Sequence, residues 1–367
     1  MVKFGFLSSY PPSTCGHASF TAALRAALPA DAVGGVVAVA DTAGSPRPPE
    51  VVGELVAGSV ASCRNAATLL NREDVAIVAF SDGDGVPRVL EMLTVPAVVV
   101  LHDVPLSPTH GQHAVLHGIV ATAAAVVVLS EAARARLVAG YGARANRVAV
   151  IPPGAPGSCG AKTTPHRNQQ RQLLTWGLLG PGKGIEWAID AMALLDDLRP
   201  EPRYVIAGRT HPAVHAHDGD RYRDSLLSRA QHLGVTDQIR FDSRYLDAAS
   251  LRRLVAHAEV IVLPYDSQEQ VASAVLVEAV ASRTPVVATR FPHAVELLAS
   301  GCGILVNHRD PVSIADAVRR ILTDRTAAAG MAAAAGVAAR DLGWPDIARR
   351  YHELAAGLVR TTVTLAR

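Results

Sequence analysis

The sequence predicts an α/β protein made of two doubly wound domains. Short Val-rich runs alternate with amphipathic stretches of Ala, Leu and Arg, a pattern typical of parallel sheets covered by helices. At 367 residues the chain is too long for one small domain. A polar stretch rich in Pro and Gly, from Pro152 to Gln172, indicates an interdomain linker. We therefore expect one domain at 1–160, a second at 161–342 and a helical tail at 343–367, with a cleft between the carboxyl edges of the two sheets.

The individual elements follow from runs rich in β-branched residues and from helix-capping signals. Strands are predicted in the first half at Val2 to Leu7, Gly35 to Ala40, Val75 to Phe80, Ala97 to Leu101, Ala125 to Leu129 and Val148 to Ile151. Helices are predicted there at His17 to Leu28, Val60 to Leu70, Val86 to Leu93 and Glu131 to Tyr141, the last with Ser130 as N-cap and Gly142 at its end. Strands are predicted in the second half at Leu173 to Trp176, Tyr204 to Ala207, Ile239 to Phe241, Val260 to Leu263, Val286 to Ala288 and Gly303 to Val306.

Composition and charge restrict the class of protein. Hydrophobic residues make up 49% and charged residues 19%, so the chain can bury substantial cores. A net charge of +2 and an aromatic content of 4% give no sign of a nucleic-acid partner. Three pairs of adjacent arginines are either solvated helix faces or a source of weak attraction to an anionic membrane surface. These pairs are Arg252 and Arg253, Arg319 and Arg320, and Arg349 and Arg350.

Cysteine usage and hydropathy predict a soluble, cytoplasmic protein. Cys15, Cys63, Cys159 and Cys302 lie far apart, as expected for reduced thiols and not for a disulfide framework or a zinc site. The N-terminal apolar run is too short for a secretion signal. The longest apolar segment, Ile119 to Leu129, is shorter than a membrane span.

The most informative segment runs from Val260 to Pro292 and predicts a strand, a polar loop, a helix and a second strand. Ser273 is a candidate N-cap, and Glu278 is expected two helical turns in. A helix that starts at the carboxyl end of a parallel strand presents N–H groups to phosphate. Glu278 is placed to accept hydrogen bonds from sugar hydroxyls, which suits a nucleotide-diphosphate sugar. The alternative is that Glu278 is an exposed helix residue of an ordinary doubly wound domain.

A second candidate anion site is the Gly-rich turn within Gly177 to Leu195. Its glycines permit close approach of a ligand to the backbone, and Lys183 adds a positive charge at a helix start. The turn lacks the spacing and the Ser or Thr of a P-loop. A plain surface turn is the competing interpretation. In the first half, Gly16 lies where the first strand turns into the first helix and permits a similar approach.

Histidines in the first half give one candidate sugar contact and no predicted metal site. His102 directly follows the strand Ala97 to Leu101, so it is either a hydrogen-bonding residue of the cleft or a structural histidine. A nearby cluster of His110, His113 and His117 lacks the H-E-x-x-H pattern of a zinc site. The loop Asp82-Gly83-Asp84-Gly85 is expected to be a surface turn, and the capping role of Ser130 suffices to explain that residue.

In the order and spacing of its segments, the chain resembles the family-4 retaining glycosyltransferases of the GT-B fold, over nearly its whole length. The segments are SSYPPSTCGHASF, VVVLHDV, VVVLSEAARARL, RVAVIPPGAP, GLLGPGKGIEWAIDAM, YVIAGRTHP, LPYDSQEQVASAVLVEAVASRTPVVAT and GWPDIARRYHEL. The last is similar to the helix that in this family crosses back to pack on the N-terminal domain. The resemblance implies a nucleotide-sugar donor and a carbohydrate, lipid-linked or small-molecule acceptor, with no metal or other cofactor.

The same resemblance implies roles for individual residues. Lys183 would bind the donor diphosphate, the main chain at Val275 and Leu276 would meet phosphate, and Glu278 would bind the ribose hydroxyls. His102 would contact the transferred sugar, and Gly16 would lie under donor and acceptor. Lysine and helix dipole would offset the charge of the leaving group, so no protein nucleophile is required.

Two positions depart from the family pattern. Gln270 stands where the family has the first Glu of an E-x7-E element, with Glu269 one register away. Leu178 stands where an Arg follows the first glycine of the turn, and Arg209 is the candidate replacement. These departures keep two rival functions open: a non-catalytic protein that binds sugar nucleotides, and another GT-B enzyme such as a nucleotide-sugar epimerase or a phosphorylase.

Overall fold

A computed structural model describes residues 2–40, 47–80, 85–156, 171–244 and 246–365. The chain divides into two compact units, one formed by Met1–Gly154 with Trp344–Arg367 and the other by Ala155–Gly343. The predicted surface turn at Asp82 to Asp84, Cys159 and most of the predicted linker lie outside the described residues.

The N-terminal unit is built on a seven-stranded parallel sheet with the strand order β3-β2-β1-β4-β5-β6-β7. The strands are β1 (Phe4–Ser8), β2 (Val33–Ala40), β3 (Val51–Val56), β4 (Val75–Phe80), β5 (Ala97–Leu101), β6 (Ala125–Val128) and β7 (Val148–Val150). The helices are α1 (Gly16–Ala27), α2 (Val60–Leu70), α3 (Val86–Met92), α4 (His110–Thr122), α5 (Glu131–Tyr141) and, at the end of the chain, α14 (Trp344–Leu365). The predicted caps of α5 are confirmed, since Ser130 Oγ accepts from the Ala133 N–H at 3.0 Å and Gly142 has a φ of 69°.

Two elements of this unit were not predicted. Strand β3 pairs on one side only and leaves Val52 52% exposed, because it is an edge strand, and Gly53 and Glu54 interrupt its apolar run. Helix α4 starts at a capping box between Thr109 and Gln112. The sequence analysis missed this capping box because Gln112 stands where Glu is more usual and because the apolar periodicity of the segment is weak.

Helix α14 belongs to the N-terminal unit, where it packs against α1. Its apolar face is deeply buried, with Ile347 at 0% and Tyr351 at 1% exposure. Gly154 allows its start to fit, because a Cβ at that position would lie 2.3 Å from the Trp344 ring. The return of the C-terminal helix to the first unit agrees with the predicted fold class.

The second unit, which we call the C-terminal unit, has a six-stranded parallel sheet with the order β10-β9-β8-β11-β12-β13. The strands are β8 (Gln172–Trp176), β9 (Arg203–Ala207), β10 (Ile239–Asp242), β11 (Val260–Leu263), β12 (Val286–Thr289) and β13 (Gly303–Val306). The helices are α6 (Ile185–Ala193), α7 (Pro212–Asp218), α8 (Arg221–His232), α9 (Ala248–His257), α10 (Ala274–Ala281), α11 (Pro292–Leu298), α12 (Pro311–Thr323) and α13 (Arg325–Ala338). The α/β fold class predicted from the sequence is confirmed in both units.

The central strands of the C-terminal unit are buried on both faces. All four residues of β11 are buried, and alternate residues contribute to two separate hydrophobic cores. The sheet order reverses between β8 and β11, so the loops after these two strands diverge and leave a crevice at their carboxyl ends. This switch point is where the fold places the GPGKG turn and the loop that precedes α10.

No helix in the described part of the chain is both long and apolar enough to cross a membrane.

Candidate functional site

The turn after β8 lies directly against the end of β11. Gly184 has a φ of 63°, and a Cβ there would lie 1.8 Å from the Pro264 carbonyl oxygen. The Asp266 N–H also donates to the Gly182 carbonyl at 2.9 Å. Only glycine combines this backbone conformation with so close an approach. The packing therefore fixes Lys183 beside the loop after β11.

The Lys183 side chain is held in a partly enclosed position. Its ammonium lies 4.5 Å from the centroid of the Tyr265 ring. Burial lowers the pKa of this amine, because removal of water disfavours the charged form. In the described part of the chain no Asp or Glu forms an ion pair with Lys183. An incoming anion therefore meets a lysine that no carboxylate already neutralises.

Helix α10 begins beside this lysine with a good N-cap. The Ser273 hydroxyl accepts from the Leu276 N–H at 3.1 Å, as predicted, and the Val277 N–H donates to the Ser273 carbonyl. Helix geometry leaves the N–H groups of Ala274 and Val275 without intrahelical acceptors. A Cβ on Gly177 would lie 3.6 Å from Val275, so this helix start faces the turn after β8. Such a start is suited to bind phosphate oxygens.

Glu278 is the fifth residue of α10, so it lies just over one turn in; the expectation of two turns was wrong, although the helix starts directly after the predicted cap. Its side chain is not an exposed helix residue either. The Trp176 indole N–H donates to Glu278 Oε2 at 3.3 Å. Burial raises the pKa of the carboxyl, and the Trp176 hydrogen bond partly offsets that rise. Glu278 therefore has one oriented oxygen and is available as a hydrogen-bond acceptor near the helix start.

Gln270 lies in the loop before α10, not on a helix. Its side-chain amide donates to the Ala272 carbonyl at 2.9 Å. Glu269 and Gln270 therefore have no helical register relative to each other, because the helix begins after both residues. Glu269 is exposed in the same loop. Gln270 braces the loop that leads to the helix start.

A buried histidine that the sequence analysis missed holds the same loop. His293, 3% exposed, accepts from the Ser273 N–H through Nδ1 at 2.9 Å, and its own main-chain N–H donates to the Gln270 carbonyl at 3.4 Å. Burial lowers the pKa of His293 to about 4, so the imidazole is neutral and Nδ1 can accept. Its position at the start of α11, after Pro292, is the only local signal that it lies at a carboxyl strand edge.

Arg209 lies on the neighbouring loop after β9. Its carbonyl accepts from the Leu179 N–H at 2.8 Å, and a Cβ on Gly208 would lie 1.8 Å from the Gly177 carbonyl oxygen. The backbone of Arg209 is thus tied to the turn that carries Lys183, while its side chain is exposed.

A separate cavity of about 500 Å³ opens on the α6 and α8 side of the same turn. It is lined by Pro181, Gly182, Glu186, Tyr222, Ser225, Leu226, Arg229, Asp266 and Arg309. None of the predicted site residues lines it, so the geometry of Lys183, α10 and Glu278 identifies the candidate site better than cavity size does.

In the N-terminal unit, Gly16 and His102 lie at the carboxyl ends of β1 and β5. Gly16 is the first residue of α1, is exposed, and has open space where a Cβ would project. The Cys15 side chain makes no cap hydrogen bond, and Ser13 Oγ contacts its Sγ at 3.6 Å. Hydrogen bonds from neighbours, His17 foremost, outweigh burial and lower the pKa of the Cys15 thiol to about 6.

His102 is enclosed by aromatic rings. Its ring centroid lies 4.3 Å from that of His17 and 4.8 Å from that of Phe20. Burial first and His17 second lower the pKa of His102 to about 3, so the ring is neutral. Its Nε2 is buried, and no described residue hydrogen-bonds to it. A neutral imidazole with an unpaired nitrogen is suited to a hydroxyl group.

His113 of α4 has local partners in α5. His113 Nε2 lies 3.1 Å from the Gly140 carbonyl, and its ring stacks on Tyr141 at 5.2 Å. Across the residues that the structure describes, no group of three or more His, Cys, Asp or Glu is arranged to hold a metal ion.

Comparisons with known proteins were made for the sequence and for the fold. Residues 161–338 match the sequence model of the family described as Glycosyl transferases group 1. The chain is 32% identical over 231 residues to the D-inositol 3-phosphate glycosyltransferase of Corynebacterium glutamicum (strain R), which covers 58% of this chain and 52% of that protein. The chain thus spans about half the length of the curated relatives it matches.

The fold is similar to that of HepE from Anabaena, whose crystal structure is in complex with UDP, with a TM-score of 0.78, 19% identity and coverage of 97% of this chain and 100% of that one. HepE has also been solved with UDP-glucose. Sucrose-phosphate synthase from Thermosynechococcus elongatus is similar as well, with a TM-score of 0.75, 18% identity and coverage of 98% and 100%. At this identity the likeness shows the fold. The chain therefore has a GT-B-like fold, and its residues 161–338 match the model of the glycosyl transferases group 1 family.

Proposed function

We propose that this protein is a retaining glycosyltransferase that moves a sugar from a nucleotide-diphosphate sugar to a hydroxyl group of an acceptor. The observation that carries the proposal is the combination of Lys183, the start of α10 and Glu278 around one crevice of the C-terminal unit. The ammonium has no carboxylate partner among the described residues, and the helix start has unpaired N–H groups. The ammonium and the positive end of the helix dipole suit a diphosphate. The nearby carboxylate of Glu278 suits the hydroxyl groups of the ribose that is joined to it.

The proposed reaction breaks the bond between the anomeric carbon and the diphosphate oxygen. The acceptor oxygen attacks from the face that the diphosphate leaves, and the acceptor proton passes to the leaving phosphate oxygen. Lys183 and the dipole of α10 stabilise the negative charge that develops there, without a bound metal. This route needs no nucleophile from the protein, which is consistent with Gln270 in place of a carboxylate.

Both substrates are proposals. A UDP-sugar is the first donor to test, because HepE, which has a similar fold, was solved with UDP-glucose. A phosphorylated polyol is the first acceptor class, because the relatives are named D-inositol 3-phosphate glycosyltransferases. Neutral His102 would contact hydroxyl groups of the transferred sugar, and Gly16 would lie below donor and acceptor. We propose that the reaction takes place in the cytoplasm.

The deciding experiment incubates the purified protein with UDP-glucose and related nucleotide sugars, with and without D-inositol 3-phosphate, in the presence of EDTA. Acceptor-dependent release of nucleotide and an NMR signal for a product with the donor's anomeric configuration are expected. A product of inverted configuration would refute retention, and activity that EDTA abolishes would refute metal independence. Lys183→Ala is the negative control.

One observation favours a second candidate function, a non-catalytic protein that binds sugar nucleotides. The Gln270 side chain is already hydrogen-bonded to its own loop and carries no charge. Tight nucleotide-sugar binding without turnover would support this second function. A requirement for inorganic phosphate, or conversion of the donor alone, would instead indicate a phosphorylase or an epimerase.

A further inference from the structure

Tyr265 is the residue that joins all parts of the candidate donor site, and none of the sequence signals identified it. It follows Pro264 at the end of β11 and is 1% exposed. Its ring stacks on Phe291, with centroids 5.2 Å apart. Its carbonyl accepts from Thr289 Oγ1 at 2.6 Å and lies 2.9 Å from His308 Nδ1. Both the main chain and the ring are therefore fixed before any ligand arrives.

The face of the ring supports Lys183. The ammonium lies 4.5 Å from the ring centroid, within the range in which a cation is attracted to the negative face of an aromatic ring. This attraction becomes stronger as water is excluded, and Lys183 is half-buried. A carboxylate in the same place would neutralise the lysine. An aromatic face holds the cation in position and leaves its charge available to a ligand.

The hydroxyl of the same ring interacts electrostatically with the other two donor elements. The side chain of Ser273, the N-cap of α10, lowers the pKa of this hydroxyl, and the carboxylate of Glu278 raises it. Burial above all raises the pKa of Tyr265 to about 12, so the hydroxyl remains protonated and neutral. One side chain thus contacts the lysine through its ring face and interacts with the helix cap and the carboxylate through its hydroxyl.

We propose that Tyr265 is a positioning residue of the donor site, whose ring face holds the Lys183 ammonium where the diphosphate of the donor binds. The inference rests on the proposed function and extends it to a residue that acts through Lys183. It requires the aromatic face more than the hydroxyl. Tyr265→Phe keeps the face, whereas Tyr265→Leu removes it and leaves an apolar side chain of smaller size.

The test is a double-mutant cycle measured by calorimetry with UDP, GDP and ADP as probes. For the best of these ligands, Tyr265→Leu should weaken binding about tenfold, and Tyr265→Phe by less than about threefold. In the Lys183→Ala background, Tyr265→Leu should cause little further loss, because the residue acts through the lysine. Circular dichroism and thermal unfolding establish that each variant is folded.

The outcomes separate this inference from the proposed function. Equal losses in Tyr265→Phe and Tyr265→Leu would overturn the role of the ring face, as would a full additional loss in the Lys183→Ala background. Failure of all three diphosphates to bind the wild-type protein would overturn the proposed function and the inference together. Binding that Lys183→Ala does not weaken would remove the lysine, and with it this role of Tyr265, while a donor site elsewhere would remain open.

Discussion

The two units place their predicted site residues at similar carboxyl strand edges but surround them with different chemistry. In the N-terminal unit, His102 is a neutral imidazole enclosed by the rings of His17 and Phe20. In the C-terminal unit, the corresponding edge brings together a buried ammonium, a helix start and a carboxylate. His102 offers a neutral hydrogen-bonding group at one edge, and Lys183 and the helix start offer positive charge at the other.

This difference suggests that one unit binds the diphosphate and the other binds sugar hydroxyl groups. A diphosphate needs fixed positive charge, because its own charge must be balanced after water is removed. Sugar hydroxyls need oriented donors and acceptors without charge, and a histidine held neutral by burial supplies them. Four predictions test this comparison, beginning with the one of largest expected effect.

Removal of the charge in the C-terminal unit should have the greatest consequence. Lys183→Ala should weaken nucleotide-diphosphate binding by about 1.5–3 kcal/mol, the scale of a hydrogen bond to a charged group. Because burial lowers the pKa of Lys183, donor binding should fall as the pH rises, beginning below the 10.5 of an ordinary lysine. Calorimetry over a pH series measures both effects. Lys3→Ala is the matched control, since that lysine is 52% exposed in the other unit; equal losses in both variants would argue against the assignment.

Loss of the loop support should lower stability by about 2 kcal/mol. His293→Leu leaves the buried Ser273 N–H without its acceptor, whereas His293→Asn retains an oxygen near the position of Nδ1. The folded-state pKa of about 4 lies below the 6.5 of an ordinary histidine, so the folded protein binds fewer protons between these values. Stability from this group is complete above pH 6.5 and is lost as the pH falls towards 4. Denaturant unfolding at several pH values should therefore show a steeper decline in the wild type than in His293→Leu; parallel curves would contradict the role of His293.

Loss of the neutral imidazole should slow transfer of the sugar and leave binding of the nucleotide unchanged. His102→Ala should lower kcat with the full donor about tenfold, the effect of one lost hydrogen bond, and leave the affinity for UDP unchanged. Steady-state kinetics and calorimetry with UDP measure the two quantities. His113→Ala, whose ring bonds to the Gly140 carbonyl, serves as control. A loss of UDP affinity in His102→Ala would break the proposed division between the units.

The smallest effect is expected in the loop before α10. Gln270→Ala should weaken donor binding about threefold, because the loop loses the hydrogen bond to the Ala272 carbonyl. Glu269→Gln should be nearly silent, since this exposed carboxylate lies outside the packed part of the loop. The reverse ranking, measured by the same calorimetry, would show that Glu269 and not Gln270 occupies the family position.

Much of the fold could be predicted because the relevant signals are local. Strand β11 was predicted at its observed limits from a run of four apolar residues, and the N-caps Ser130 and Ser273 were identified from their own neighbourhoods. Edge strand β3 was missed because it is half exposed and interrupted by Gly53. The start of α10 was predicted correctly, but the depth of Glu278 within the helix was overestimated.

By itself, the sequence determined most of the strands and the starts of several helices, but not strand β3 or helix α4. It also indicated that Lys183 and Glu278 belong to loops and helices at carboxyl strand edges. Periodicity and capping depend on neighbours within a few residues, so they can be recognised in the sequence. Tertiary structure alone decided that Tyr265 lies under Lys183, that Trp176 donates to Glu278 and that His293 accepts from Ser273. These pairs join distant segments because β8, β11 and β12 are consecutive in the sheet, and strand order is a consequence of global packing that no local pattern encodes.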